Sequence, residues 1–212
     1  MRRTAPQTVT AHELGGVVPV IVIDDADRAP DLARALMAGG ISCAEVTLRT
    51  PAALAAIASM ARVPGFLVGA GTVRSVVDID AVIQAGARFA VTPGISRGVL
   101  DGAAAEGLLV VPGASTATDL MNALDAGVRH VKIFPAEALG GPPTISLLSG
   151  PFPEIQFLPS GGLTAKNAPD YSRLDCVFAV SGSWMAPRDL LAAGRFDEIT
   201  ALSAHAVRDL VG

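Results

Sequence analysis

The sequence predicts an α/β protein of the (β/α)8 (TIM) barrel class. It reads as one domain over residues 1–212, with residues 1–15 as a lead-in. Three observations carry this. Eight apolar runs of strand length recur roughly every 20–25 residues, the length of a strand plus its crossover helix. Segments with helical spacing lie between them. Six consecutive runs end in small-residue turns, at the end where a barrel gathers its functional groups. The chain is long enough for a barrel at the short end of the range. An open doubly wound sheet is the alternative, disfavoured because no dinucleotide fingerprint follows the first run.

In order, the expected strands are Val17–Ile23, Cys43–Leu48, Phe66–Gly69, Phe89–Thr92, Leu108–Val111, His130–Phe134, Gln156–Pro159 and Val177–Val180. Ala29, Leu32, Ala33, Leu36 and Met37 repeat at helical spacing after the first, Val76, Ile79 and Ile83 after the third, and Ile199, Leu202, Ala206 and Leu210 near the C-terminus. Gly39, Gly86, Gly107 and Gly127 stand just before the next strand, where a left-handed residue ends a helix. The strand-end turns are Gly69-Ala70-Gly71-Thr72, Thr92-Pro93-Gly94, Val111-Pro112-Gly113, Phe134-Pro135, Ser160-Gly161-Gly162 and Ser181-Gly182-Ser183. Small residues there let a ligand approach the backbone.

Composition excludes several function classes. Hydrophobic residues make up 50% of the chain, but the apolar stretch Val17–Ile23 is too short to span a bilayer and contains Pro19. No membrane association is expected. A net charge of −4 without a basic stripe argues against nucleic acid. Arg2 and Arg3 in Met1–Glu13 are not followed by an apolar signal region. Cys43 and Cys176 are isolated and sit in expected strands, which favours reduced thiols and the cytoplasm. His12, His130 and His205 are scattered, so neither a metal site nor any cofactor is expected.

The chemistry centres on Lys132. Of 16 basic residues only Lys132 and Lys166 are lysines, and Lys132 interrupts the apolar run Val131-Lys132-Ile133-Phe134. An ammonium on a half-buried strand is poorly solvated; without its proton it is a nucleophilic amine that condenses with carbonyls. Arginine cannot do this. Strand alternation turns Glu45, Thr47 and Arg49 of the second run inward, and Lys132 with Phe134 of the sixth. Arg49 offers a planar fork for a substrate carboxylate, Thr72 adds a hydroxyl and an N–H, and Glu45 can shuttle protons. Phe134 packs against a substrate methyl or fills the core, and Pro93 is expected beside the substrate. The turns Ser160-Gly161-Gly162 and Gly182-Ser183 close adjacent strands, where barrels bind phosphate through backbone N–H groups.

These residues resemble the 2-keto-3-deoxy-6-phosphogluconate (KDPG) aldolases, which have a 4-hydroxy-2-oxoglutarate (KHG) aldolase side activity. The motifs are collinear over nearly the whole chain: Val17-Val18-Pro19-Val20-Ile21, Gly39-Gly40, Glu45-Val46-Thr47-Leu48-Arg49-Thr50, Gly69-Ala70-Gly71-Thr72-Val73, Pro93-Gly94, Lys132-Ile133-Phe134-Pro135-Ala136-Glu137, Ser160-Gly161-Gly162 and Gly182-Ser183-Trp184. The resemblance implies a metal-free class I aldolase of the Entner–Doudoroff pathway, homotrimeric, acting on a phosphorylated keto acid. It implies Lys132 as Schiff-base lysine, Glu45 as general acid/base, Arg49 and Thr72 as the pyruvate-carboxylate site, and Gly161, Gly162 and Ser183 as phosphate ligands. Two positions depart from the family: Ser160 replaces the usual Thr and Ser181 the usual Gly. Ser181 adds a side chain that donates to the phosphate or crowds it. An aldolase for the galactonate epimer, a noncatalytic phosphosugar-binding barrel and a phosphate-dependent isomerase are the rivals; the last predicts no imine.

Overall fold

The computed structural model describes residues 9–210, so the first eight residues of the expected lead-in lie outside the described residues. Every strand pairing is parallel. β1 (Val17–Ile21), β2 (Cys43–Thr47), β3 (Leu67–Gly71), β4 (Phe89–Val91), β5 (Leu109–Val111) and the late strand β9 (Val180–Gly182) form one sheet in the order β5-β4-β3-β2-β1-β9. β6 (Gly113–Ala114), β7 (His130–Ile133) and β8 (Gln156–Pro159) form a second. Isolated parallel bridges, Phe157 to Val177 and Ser160 to Ser181, run from the second sheet toward β9. Helices follow the strands: α1 (Ala29–Ala38), α2 (Ala53–Met60), α3 (Val76–Gln84), α4 (Arg97–Ala105), α5 (Ala117–Asp125), α6 (Gly141–Ser149), α7 (Ala168–Ser172), α8 (Arg188–Ala193) and α9 (Phe196–Leu210). The expected α/β class with parallel strands is what the chain adopts.

Alternation sorts the side chains into two cores. Ala44 and Val46 of β2 and Val131 and Ile133 of β7 join the large cluster shared with the helices. Val18, Cys43, Phe89, Val91, Val111 and Leu158 form a second cluster on the opposite face. Val9 and Leu14 of the lead-in pack into that second cluster, and the 3-10 turn Ala11–Leu14 is held by a reciprocal cap between Thr10 and Glu13. Burial, with a smaller push from Glu45, raises the Cys43 thiol to about 12, and its Sγ donates to the Leu14 carbonyl at 3.0 Å. An inert core thiol fits the sequence reading of this residue.

Several expected boundaries move, each for a physical reason. Pro112 has no N–H, so the fifth strand does not end there but breaks. β5 pairs with β4, the Pro112 carbonyl accepts from the Lys132 N–H at 2.8 Å, and the chain resumes as β6 beside β7. Gly69 and Gly71 are not turn residues; they lie within β3. A Cβ on Gly69 would sit 2.4 Å from the Phe89 ring, and one on Gly71 would sit 3.1 Å from Glu45 Oε1. Their absent side chains make room for a core phenyl ring and a buried carboxylate. The last strand is Val180–Gly182 rather than Val177–Val180, and Cys176 lies in the turn before it. Only Val177 of the expected stretch bridges to β8, while Val180 to Gly182 pair with β1.

Two helix details also differ. Gly39 has φ −85°, and the left-handed residue is Gly40, at φ +89°. Gly39 is needed for closeness instead, because a Cβ there would lie 2.4 Å from Ser203 Cβ of α9. In α3 the buried positions are Ile79 and Val82, while Val76 is exposed. Val76 is the first residue after the Ser75 cap, whose side chain accepts from the Asp78 N–H, so it lies at the helix mouth rather than over the sheet.

Candidate active site

The ends of β1, β2, β3, β7, β8 and β9 converge on one cavity of about 180 Å³. All eleven expected site residues are among its lining residues. Strand alternation explains the convergence. Glu45 and Thr47 point the same way from β2, Lys132 does so from β7, and parallel pairing puts these positions at similar heights.

Lys132 is 8% exposed and Glu45 1% exposed. The amine lies 3.3 Å from Glu45 Oε1, and Glu45 Oε2 is buried with no hydrogen-bond partner. A buried carboxylate oxygen left unengaged at a cavity wall is costly unless something else uses it. A substrate hydroxyl or a water is of the size and chemistry to use it. Arg49 follows β2 and is exposed; its guanidinium makes no ion pair among the described residues, so it is available to an incoming anion. Thr72 has φ +62°, the sole positive φ of a residue other than glycine among the described residues. A β-branched residue held left-handed is strained, and such strain concentrates where a backbone group must be aimed.

Phe134 is 40% exposed and lines the cavity, with its ring centroid 5.3 Å from Lys132 Nζ. The core-filling alternative for this ring is therefore set aside. Its face also limits Gly161, where a Cβ would approach the ring to 3.0 Å. The N–H groups of Gly161, Gly162 and Ser183 make no hydrogen bond among the described residues. Gly161 and Gly162 both have positive φ, +91° and +84°, a pairing of conformations that leaves successive N–H groups free for an anion.

Ser160 is buried at the cavity wall. Ser181 is different. Its Oγ is fully buried without a partner, and the residue is not among those lining the cavity. Gly182 has a steric reason: a Cβ there would lie 2.0 Å from Trp184 Cζ3. Gly182→Ala should lower unfolding stability by about 1–3 kcal/mol through overpacking, read as a shift of the urea midpoint at constant slope.

Sequence reasoning missed Val20 and Leu163 as lining residues. Period-two alternation predicts the inward face of Thr47 but assigns it no task. Its Oγ1 donates to the Ile21 carbonyl at 3.0 Å, and Thr50 Oγ1 donates to Ile23 at 2.5 Å. These two bonds tie the loop carrying Arg49 to the end of the first strand.

Residues 10–202 match the family described as KDPG and KHG aldolase. The chain belongs to that family. The 2-dehydro-3-deoxy-phosphogluconate aldolase of Dickeya dadantii is 44% identical over 207 residues, covering 97% of this chain and 96% of the relative. Among solved structures, the KDPG aldolase of Legionella pneumophila, with pyruvate captured as a covalent carbinolamine, superposes with a TM-score of 0.89 at 40% identity, covering 92% of this chain and 95% of that one. The KDPG aldolase of Zymomonas mobilis with 3-phosphoglycerate gives 0.86 at 41% identity, covering 92% of each. A KDPG aldolase family member with this arrangement holds an amine, a carboxylate, a free guanidinium and a row of unpaired N–H groups around one cavity.

Proposed function

We propose that this chain is a class I aldolase that cleaves KDPG to pyruvate and D-glyceraldehyde 3-phosphate through an imine on Lys132. The observation that carries the reading is the buried Lys132 amine within 3.3 Å of Glu45, inside a cavity that also holds Arg49. The pyruvate carbinolamine captured in the Legionella relative supports the covalent step.

With its proton passed to Glu45, the Lys132 amine attacks the keto carbon, forming a carbinolamine; Glu45 gives the proton back to the departing hydroxyl, and loss of water leaves an iminium whose positive nitrogen is an electron sink. Glu45, with one oxygen unengaged, accepts the proton of the hydroxyl beyond the scissile bond. That carbon becomes the aldehyde of the departing triose phosphate, and the bonding pair moves toward nitrogen as an enamine. Glu45 returns the proton to the enamine carbon, and water releases pyruvate and regenerates the amine. Arg49 and the Thr72 turn hold the carboxylate, Phe134 and Pro93 flank the pyruvate carbons, and Ser160, Gly161, Gly162, Gly182 and Ser183 take the phosphate. KHG, cleaved to pyruvate and glyoxylate, needs the same imine without the phosphate contacts.

The reading extends to the whole molecule as one closed (β/α)8 barrel. Support comes from the Lys132 N–H bond to Pro112, which joins the two sheets at one seam, and from the Ser160 and Phe157 bridges at the other. The cluster on the face away from the helices also draws on both sheets. A homotrimer is supported by the exposed apolar side chains Val77, Met121 and Leu147, all outside the cavity. Two free cysteines support a reducing, cytoplasmic setting. No helix among the described residues is long and apolar enough to cross a membrane.

The test is pyruvate release, coupled to lactate dehydrogenase, from KDPG and from its galactonate epimer in parallel. Faster release from KDPG is expected. Faster release from the epimer reassigns the substrate, and release from neither leaves a noncatalytic phosphosugar-binding protein.

A further inference from the structure

We infer that Glu137 is a positioning residue: it holds the Ser160-Gly161-Gly162 turn so that its N–H groups face the cavity and select phosphorylated substrates. The inference rests on the aldolase reading and adds a residue that does not line the cavity.

The turn's carbonyls are all engaged on one side. The Ser160 carbonyl accepts from the Ala136 N–H at 2.8 Å, and the Gly161 carbonyl from the Glu137 N–H at 3.1 Å. The Gly162 carbonyl accepts from Asn167 Nδ2 at 3.1 Å. The same Asn167 nitrogen donates to Glu137 Oε2 at 3.0 Å. In a trans peptide the N–H points opposite to the C=O. Fixing the carbonyls of Ser160, Gly161 and Gly162 therefore fixes the N–H groups of Gly161, Gly162 and Leu163, all cavity-lining residues, toward the other side.

The anchor is itself anchored. Tyr171, fully buried, donates its hydroxyl to Glu137 Oε2 at 2.6 Å. Asn167 is oriented from behind by Thr164, whose N–H and Oγ1 both donate to Asn167 Oδ1, at 2.7 and 3.0 Å. Contact reinforces the hydrogen bonds, since a Cβ on Gly162 would lie 2.5 Å from Glu137 Cβ. One carboxylate oxygen thus gathers a buried phenol and an amide whose other bond ends on the turn. Anion-binding N–H groups act only if their orientation is set before the anion arrives.

Glu137→Ala removes the acceptor; Glu137→Gln keeps an oxygen that takes both hydrogen bonds; Asn167→Ala cuts the tie to Gly162 while sparing the buried phenol. Three readouts separate positioning from general destabilisation: the inhibition constant of inorganic phosphate, KM for KDPG against KM for KHG, and the rate of borohydride trapping with pyruvate alone. Glu137→Ala and Asn167→Ala should each weaken phosphate inhibition and raise KM for KDPG on the order of tenfold, with KM for KHG and pyruvate trapping at wild-type values. Glu137→Gln should restore phosphate affinity.

Parallel loss of phosphate affinity and pyruvate trapping overturns the inference, as does unchanged phosphate affinity in Asn167→Ala should the alanine variant at 137 fail to fold. The wild-type arm separates this from failure of the aldolase reading. Wild-type protein that traps no pyruvate sinks the latter, whereas trapping that proceeds without competition between phosphate and KDPG sinks only the role given to the turn.

Discussion

Lys132→Ala should abolish borohydride-dependent attachment of pyruvate and reduce KDPG cleavage on the order of 10⁶-fold, the scale seen when a covalent nucleophile is removed from an enzyme that otherwise keeps its site. The basis is that no other described group in the cavity is an amine: Arg49 carries a delocalised guanidinium, a poor nucleophile, and Lys166 is exposed outside the cavity. At about 1.4 kcal/mol per tenfold, such a loss is too large for a change of substrate affinity alone. Mass spectrometry of the reduced adduct locates the added three-carbon unit. Pyruvate found on Lys166, or an unmodified protein that still cleaves KDPG, ends the imine account. Removing the Lys132 side chain leaves Glu45 without its partner in a buried site, so Lys132→Met, close in length, serves as the companion variant for folding.

Much of this site was legible in the chain because it depends on two periodicities. A strand alternates every second residue, so Glu45, Thr47 and Lys132 are placed on one face by counting alone. The Gly/Pro ends of the runs then show which end of the sheets carries the chemistry. What counting cannot supply is the use of space. Gly69 and Gly71 read as a turn because small residues commonly make turns, yet they are strand residues emptied to admit Phe89 and the Glu45 carboxylate. Gly39 does end α1, yet what demands a glycine there is the neighbouring α9, since a Cβ would lie 2.4 Å from Ser203 Cβ. The break at Pro112 follows from a missing donor, but its consequence, a carbonyl handed to Lys132, needs the neighbouring strand. Glu137 shows the same limit. It stands in the motif beside Lys132, while its partners Asn167 and Tyr171 lie 30 and 34 positions away and give no periodic signal.

Glu45→Gln should slow KDPG cleavage by about 10²–10⁴-fold, the usual contribution of a positioned general acid/base, while leaving the protein folded and the imine still detectable on long exposure to borohydride. The amide retains an oxygen to accept from Lys132, so the buried contact survives in neutral form. What it loses is the ability to take up and return a proton. The distinguishing measurement uses pyruvate alone in deuterium oxide. An imine-forming enzyme exchanges the methyl protons of pyruvate as the enamine forms and is quenched, and that exchange, followed by proton NMR, should fall by the same factor as cleavage if one carboxylate serves both steps. The structure favours a single carboxylate: Glu45 is the acidic residue among those lining the cavity, and its second oxygen has no other partner. Exchange at the wild-type rate alongside slowed cleavage assigns the enamine proton to another donor and limits Glu45 to the carbon–carbon bond step. Wild-type rates for both reduce Glu45 to a counter-ion for Lys132.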